Sequence, residues 1–161
     1  MMDKKLLKLL GKDCRTPLEE LATMTGKTAQ EVAAEIDALE KEGVVRGYKA
    51  VIDWERVDDS YVSALIELKV TPKAGLGFEQ IAKQVMKYPE VETVYLMSGG
   101  YDLCVIVKGK TFQGVAMFVA KELSTLESVT STATHFVLRR YKELDVELCD
   151  GTADDRGHYS F

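Results

Sequence analysis

The chain has 161 residues, of which 46% are hydrophobic and 29% charged, and a formal net charge of −5. This is the composition of an ordinary soluble protein, long enough for one domain or two small ones. No apolar run approaches the roughly 18 residues of a membrane span, and the three scattered cysteines (Cys14, Cys104, Cys149) give neither a disulfide framework nor a metal-binding spacing.

The negative charge is local. Residues 143–161 carry six carboxylates against one arginine, so residues 1–142 are electrically balanced. An acidic stretch of this kind is expected to be a solvated, disordered tail. The free cysteines suit a reducing compartment, which points to the cytoplasm. The first residues form a charged amphipathic stretch rather than a signal peptide.

Leu6, Leu7, Leu9 and Leu10 alternate with Lys4, Lys5, Lys8 and Lys12, which predicts an amphipathic helix ending near Gly11. Thr16-Pro17-Leu18-Glu19 and Thr28-Ala29-Gln30-Glu31 both fit the T-x-x-E capping box, and Pro17 suits a first helical position. Leu18, Leu21, Ala22 and Met24 mark a short second helix. Val32, Ile36 and Leu39 mark the buried stripe of a third, stopped at Gly43. Two helices joined through Gly26 suggest a helix-turn-helix, with Val44-Val45 and Tyr48 to Ile52 as the strands of a wing. The third helix is acid-rich: Glu31, Glu35, Asp37, Glu40 and Glu42 stand against Lys41 alone.

Residues 54–60 read as a linker. Strand patterning covers Tyr61 to Thr71, Val91 to Met97, Asp102 to Val107 and Val129 to Tyr141. Helix patterning covers Phe78 to Met86, stopped at Pro89, and Phe112 to Leu123. Ser98-Gly99-Gly100-Tyr101 joins two of the strands as a hairpin. The order βαββαβ is the ferredoxin-like arrangement. The expected class is therefore α+β: a three-helix winged helix-turn-helix over 1–53, a linker over 54–60, a ferredoxin-like domain over 61–142 and the tail 143–161. A four-stranded sheet with helices on one face needs cover on the other, so a two-fold dimer is expected.

At this point the chain resembles the Lrp/AsnC (feast/famine) regulators. Leu39 to Ile52 fits the family's helix-to-wing signature. Asp13-Cys14-Arg15 and Leu21-Ala22 match segments before it. Val94-Tyr95 with Ser98-Gly99-Gly100-Tyr101-Asp102 resembles its Gly-x-Tyr-Asp turn, and Thr132 to Leu138 its last strand. The resemblance implies a transcription regulator that senses an amino acid or related metabolite, with dimers that often assemble into octamers. It implies double-stranded DNA as partner and, at subunit interfaces, an effector site built from Ser98, Gly99, Gly100, Tyr101, Asp102, Thr132, Thr134 and His135. Within that site Asp102 suits an α-ammonium group and the glycines a close backbone approach.

Phosphate affinity comes from Lys and Arg, and the candidates are Lys12, Arg15, Lys27, Arg46 and Lys49. Thr28, Gln30 and Ala34 are placed to face bases, although Thr28 and Glu31 fit capping better. Family members commonly carry Arg or Lys where this chain has Ala34, Glu35, Asp37 and Ala38, so their base contacts do not transfer. Two other readings compete with the regulator: a sensing assembly protein that has lost DNA binding, and an enzyme resembling the sirohaem decarboxylases. The latter carry more His and Arg than the His135, Arg139 and Arg140 present here. The expectation is no catalytic activity, no cofactor and no metal, since H-x-x-H, C-x-x-C and phosphate-loop motifs are all absent from the sequence.

Overall fold

A computed structural model describes residues 3–57, 60–72 and 77–148. The chain divides into two compact units, one running to Ala50 and the other starting at Val51.

The first unit holds α1 (Lys4–Lys12), α2 (Leu18–Thr25) and α3 (Ala29–Lys41). Asp3 starts α1, its carboxylate accepting from the N–H groups of Lys5 and Leu6. Gly26, at φ +73°, closes α2 in the left-handed region that glycine enters without steric cost. The capping box of α3 forms as expected, with Thr28 and Glu31 each satisfying the other's backbone N–H. Leu6, Leu10, Leu21, Ala22, Val32 and Leu39 make the core, with Ile36 and Val45 packed against it.

Two local expectations fail here. Thr16 does not cap α2: its hydroxyl donates instead to the carbonyl of Asp13 at 3.0 Å, and Pro17 takes the cap position with ψ 148° rather than a helical angle. Asp13 competes successfully for Thr16 because its own turn brings that carbonyl within reach. Nor does the wing form strands. The N–H groups of Val44 and Val45 both donate to the carbonyl of Leu39, closing α3, and residues 46–53 form no ladder. A strand needs a partner for its backbone groups, and this segment has none among the described residues.

The second unit opens with a 3₁₀ turn at Trp54–Arg56 inside the expected linker, followed by β1 (Val62–Val70), α4 (Phe78–Val85), β2 (Val91–Leu96), β3 (Leu103–Gly109), α5 (Phe112–Phe118) and β4 (Val129–Phe136). A π-type turn over Val119–Leu123 continues α5. The sheet order is β2-β3-β1-β4, antiparallel throughout, the βαββαβ topology the sequence predicted. Val62, Ala64, Ile66, Leu68 and Val70 alternate onto the helix-covered face with Leu103, Val105 and Val107 of β3, against Ile81, Val85, Val115, Val119 and Leu123. Each large side chain so buried stabilises by about 1.5–3 kcal/mol.

The last strand stops at Phe136 rather than Tyr141. Residues 143–148 are not simply a disordered tail. Lys142–Glu143 and Val146–Glu147 pair as a small hairpin, with Leu144 and Asp145 at φ 45° and 66° supplying the two left-handed residues of its turn. Lys142 pairs with Asp145 at 3.1 Å across that turn. The rest of the expected tail, 149–161, lies outside the described residues.

Gly109 is where β3 passes α5 most closely: a Cβ there would sit 2.7 Å from Val115 Cγ2. Gly109→Ala is expected to destabilise by about 1–3 kcal/mol through overpacking. Gly100→Ala, where a Cβ meets nothing within 4 Å, is expected to change stability little. Urea unfolding midpoints of the two variants check the contrast.

Candidate functional site

The first candidate surface is the outer side of the helix-turn-helix. Gln30, Ala34, Asp37, Ala38 and Lys41 of α3 are exposed, as are Lys12, Arg15, Arg46 and Lys49. Three carboxylates of α3 have partners inside the unit. Glu31 belongs to the capping box. Glu35 accepts from Lys27 Nζ and, at 3.2 Å, from the backbone N–H of Asp3. Glu40 accepts from the Tyr48 hydroxyl at 2.8 Å. Asp37 and Glu42 remain exposed without an ion pair among the described residues.

Lys27 is therefore not a free cation for phosphate. Its ammonium bridges Glu35 and, at 2.7 Å, Asp3, tying the start of α1 to α3. Thr28 is equally committed: its hydroxyl donates to Glu31 at 2.8 Å and accepts from the Glu31 N–H. Both already have partners within the unit. The sequence concealed the Lys27 bridge because Lys27 precedes α3, so helical spacing cannot pair it with Glu35. Asp3 was visible only as a polar residue before an amphipathic run, the usual N-cap signal.

Tyr48 brings the segment after α3 beside the loop after α1. Its hydroxyl is held above the usual phenol range by the Glu40 hydrogen bond first, then by burial, with Cys14 and Asp37 adding to the negative surroundings.

The second candidate site is the β2–β3 turn with β4. Gly99 sits at φ +148°, a conformation L side chains rarely adopt, whereas a Cβ at Gly99 or Gly100 would meet nothing within 4 Å. Gly99 is there for its backbone angle, and neither glycine is forced by crowding within one chain. Asp102 does more than line the turn. Its N–H donates to Leu68, its carbonyl accepts from Met97, and its carboxylate accepts from the Val70 N–H at 2.8 Å. Val70 lies at a register shift between β1 and β4, where the ladder cannot satisfy it. Thr130 serves the same break, donating to the Lys69 carbonyl at 3.1 Å. Asp102 is thus a structural pin whose Oδ2 is committed to the sheet.

The remaining residues do not converge within one chain. Thr132 and Thr134 pair with Leu68 and Ile66 and share their helix-covered face. His135 pairs with Leu65 on the opposite face, where its Nε2 lies 3.2 Å from Glu67. That open face also carries Ile106, Cys104 and Tyr95, from the registers of β1–β3 and β2–β3.

Two family models match the chain. One, described as the AsnC-type helix-turn-helix domain, covers residues 2–40, and the other, the Lrp/AsnC ligand binding domain, covers residues 63–146. An uncharacterized HTH-type transcriptional regulator of Bacillus subtilis, YugG, is 46% identical over 155 residues, covering 96% of this chain and 93% of its own. The HTH-type transcriptional regulator FL11 of Pyrococcus horikoshii is 33% identical, with 88% and 91% covered. Among solved structures, the Neisseria meningitidis transcriptional regulator NMB0573 in complex with L-Met superposes with TM-score 0.70 at 25% identity, over 89% of this chain and 94% of the other. Among the described residues no helix is long and apolar enough to cross a membrane.

These contacts set two expected outcomes. Asp102→Ala is expected to cost about 1–3 kcal/mol by orphaning the Val70 N–H, read as a lowered urea midpoint with no small molecule added. The Asp3–Lys27 contact sets a pH dependence for the first unit. Lys27 is the main cause, ahead of the Leu6 N–H, holding the Asp3 carboxyl below its ordinary 3.8, while Asp3 and then Glu35 raise the Lys27 ammonium above 10.5. The Asp3 contribution is present above pH 3.8 and lost as pH falls through its lowered value. The Lys27 contribution is present below pH 10.5 and lost as pH rises through its raised value. Lys27→Met should flatten both limbs of a stability–pH curve. With both units covered by family models and the relatives aligned along nearly its whole length, the chain belongs to the Lrp/AsnC family of helix-turn-helix transcriptional regulators.

Proposed function

We propose that this chain is a DNA-binding transcription regulator, acting as a multimer, whose output is set by an amino acid or a related small metabolite. The observation that carries the DNA reading is the engagement of Glu31, Glu35 and Glu40 by partners within the unit. It leaves Gln30, Ala34 and Ala38 outward on α3, with exposed Lys12, Arg15, Arg46 and Lys49 elsewhere on the same unit. In this reading Gln30 is the base-edge donor and acceptor, suited to adenine. The four cations and the N–H groups at the start of α3 meet phosphates.

Each module offers few phosphate contacts, so affinity grows with the number of modules held in one assembly. The assembly is a dimer formed through the open sheet face, where Leu65 and Ile106 are half-buried beside exposed Tyr95. Further pairing to an octamer belongs to the same reading. The effector lies at the Ser98–Asp102 turn, completed across a subunit interface by β4 residues. Structures titled as complexes with L-methionine, that of NMB0573 and that of the feast or famine regulatory protein of M. tuberculosis, support an amino acid as its class. The compartment is the cytoplasm, where DNA and free amino acids meet. Exposed Asp37 and Glu42 favour one alternative, a sensor whose DNA binding has weakened or been lost.

Gel-shift titration of the full chain against salt separates the two. Arg46→Ala and Lys49→Ala are each expected to reduce the slope of log K against log salt by about 0.9, one phosphate contact apiece. Lys27→Met is expected to leave the slope unchanged. No retention of DNA at low salt would establish the sensor reading instead.

A further inference from the structure

A cavity of about 340 Å³ lies at the end of the sheet away from the β2–β3 turn, lined by Trp54, Ser60, Tyr61, Glu92, Lys108, Gly109 and Lys110. Its size falls within the roughly 300–1,000 Å³ typical of small-molecule pockets. None of the residues assigned above to DNA or effector belongs to it.

Its walls are fixed by the strands. Tyr61 leads into β1, Lys108 and Gly109 end β3, and Glu92 lies in β2, so the pocket spans three neighbouring strands. Glu92 sits at a register shift between Val91 and Thr93. Such a bulge re-aims one side chain out of the alternation. Here it lets Glu92 accept from the Tyr61 hydroxyl at 3.3 Å, across the end of β3, and hold Lys108 at 3.4 Å. Lys108 is anchored through its N–H to Glu90 at 2.9 Å, and the close approach of Gly109 to Val115 holds the end of β3 against α5.

Two properties of the lining define the occupant. Trp54 stacks on Tyr61 with ring centroids 5.7 Å apart and planes 18° from parallel, which gives a broad aromatic wall. The charge is net positive. Among the lining residues Glu92 is offset by Lys108, and no carboxylate among the described residues pairs with Lys110. We propose that this cavity is a second small-molecule site, separate from the Ser98–Asp102 turn, that takes an aromatic monocarboxylate. Lys110 holds the carboxylate, the Trp54–Tyr61 wall covers the ring, and Glu92 positions Tyr61.

The test uses Trp54, the single tryptophan of the chain, as its own reporter. Phenylacetate titrated into the full-length protein is expected to change tryptophan fluorescence saturably. Phenylacetamide, which keeps the ring and lacks the charge, and acetate, which keeps the charge and lacks the ring, are expected not to. Lys110→Ala should weaken phenylacetate about tenfold or more, the loss of one charge-assisted hydrogen bond. Glu92→Gln keeps an acceptor for Tyr61 and removes a negative charge, so it should tighten binding. A thermal melt by circular dichroism confirms that both variants fold. No saturable change with phenylacetate, equal binding of the amide, full retention by Lys110→Ala, or weaker binding by Glu92→Gln would each overturn the proposal.

Discussion

The one-sided burial of β1 is the constraint on which the second unit rests. Ala64, Ile66 and Leu68 are fully buried under the helices and lie opposite residues of β3 on one edge and of β4 on the other. A central strand flanked by two others has no free edge, so its register sets theirs. A slip of one residue would turn the whole apolar row to the open face. Everything attached to the ends of β1 inherits that placement. At its far end Asp102 and Thr130 satisfy the irregular step at Lys69 and Val70. At its start Tyr61 is carried to Trp54 and Glu92.

These two ends show the same device used for different purposes. A β-ladder breaks, and a side chain from a neighbouring element completes or exploits the break. At Val70 the break needs an acceptor, and the Asp102 carboxylate provides it, which binds the Gly99–Gly100 turn to the sheet. At Glu92 the break redirects the side chain itself, toward a phenol and an ammonium. In both places a carboxylate chosen by sequence reading as a ligand, or ignored by it, has a structural task that precedes any ligand.

The helix-turn-helix makes the corresponding point about charge. An acid-rich α3 reads as hostile to a polyanion if every carboxylate is assumed to face solvent. Three of those carboxylates instead close a cap, anchor the start of α1 and hold Tyr48. Of the three only Glu35 meets a cation; Glu31 and Glu40 accept from uncharged groups and remain exposed together with Asp37 and Glu42. The same bridge removes Lys27 from the cations a DNA backbone would meet, so simple counting overstates both signs of charge.

Sequence alone determined what depends on periodicity and on contacts within a few residues. The βαββαβ order followed from alternation and turn chemistry, the α3 cap from Thr28 and Glu31 three residues apart, and the family from short local signatures such as Leu39 to Ile52. Local rules failed where a competitor outside the pattern was available, as when Asp13 took Thr16 from its cap or Leu39 took the N–H groups of Val44 and Val45. What only tertiary structure decided is which distant groups meet: Lys27 with Asp3 and Glu35, Asp102 with Val70, Tyr61 with Glu92, and the separation of Thr132 and Thr134 from His135 by the two faces of a sheet. Those outcomes are set by register and packing between elements far apart in the chain, and no residue spacing encodes them.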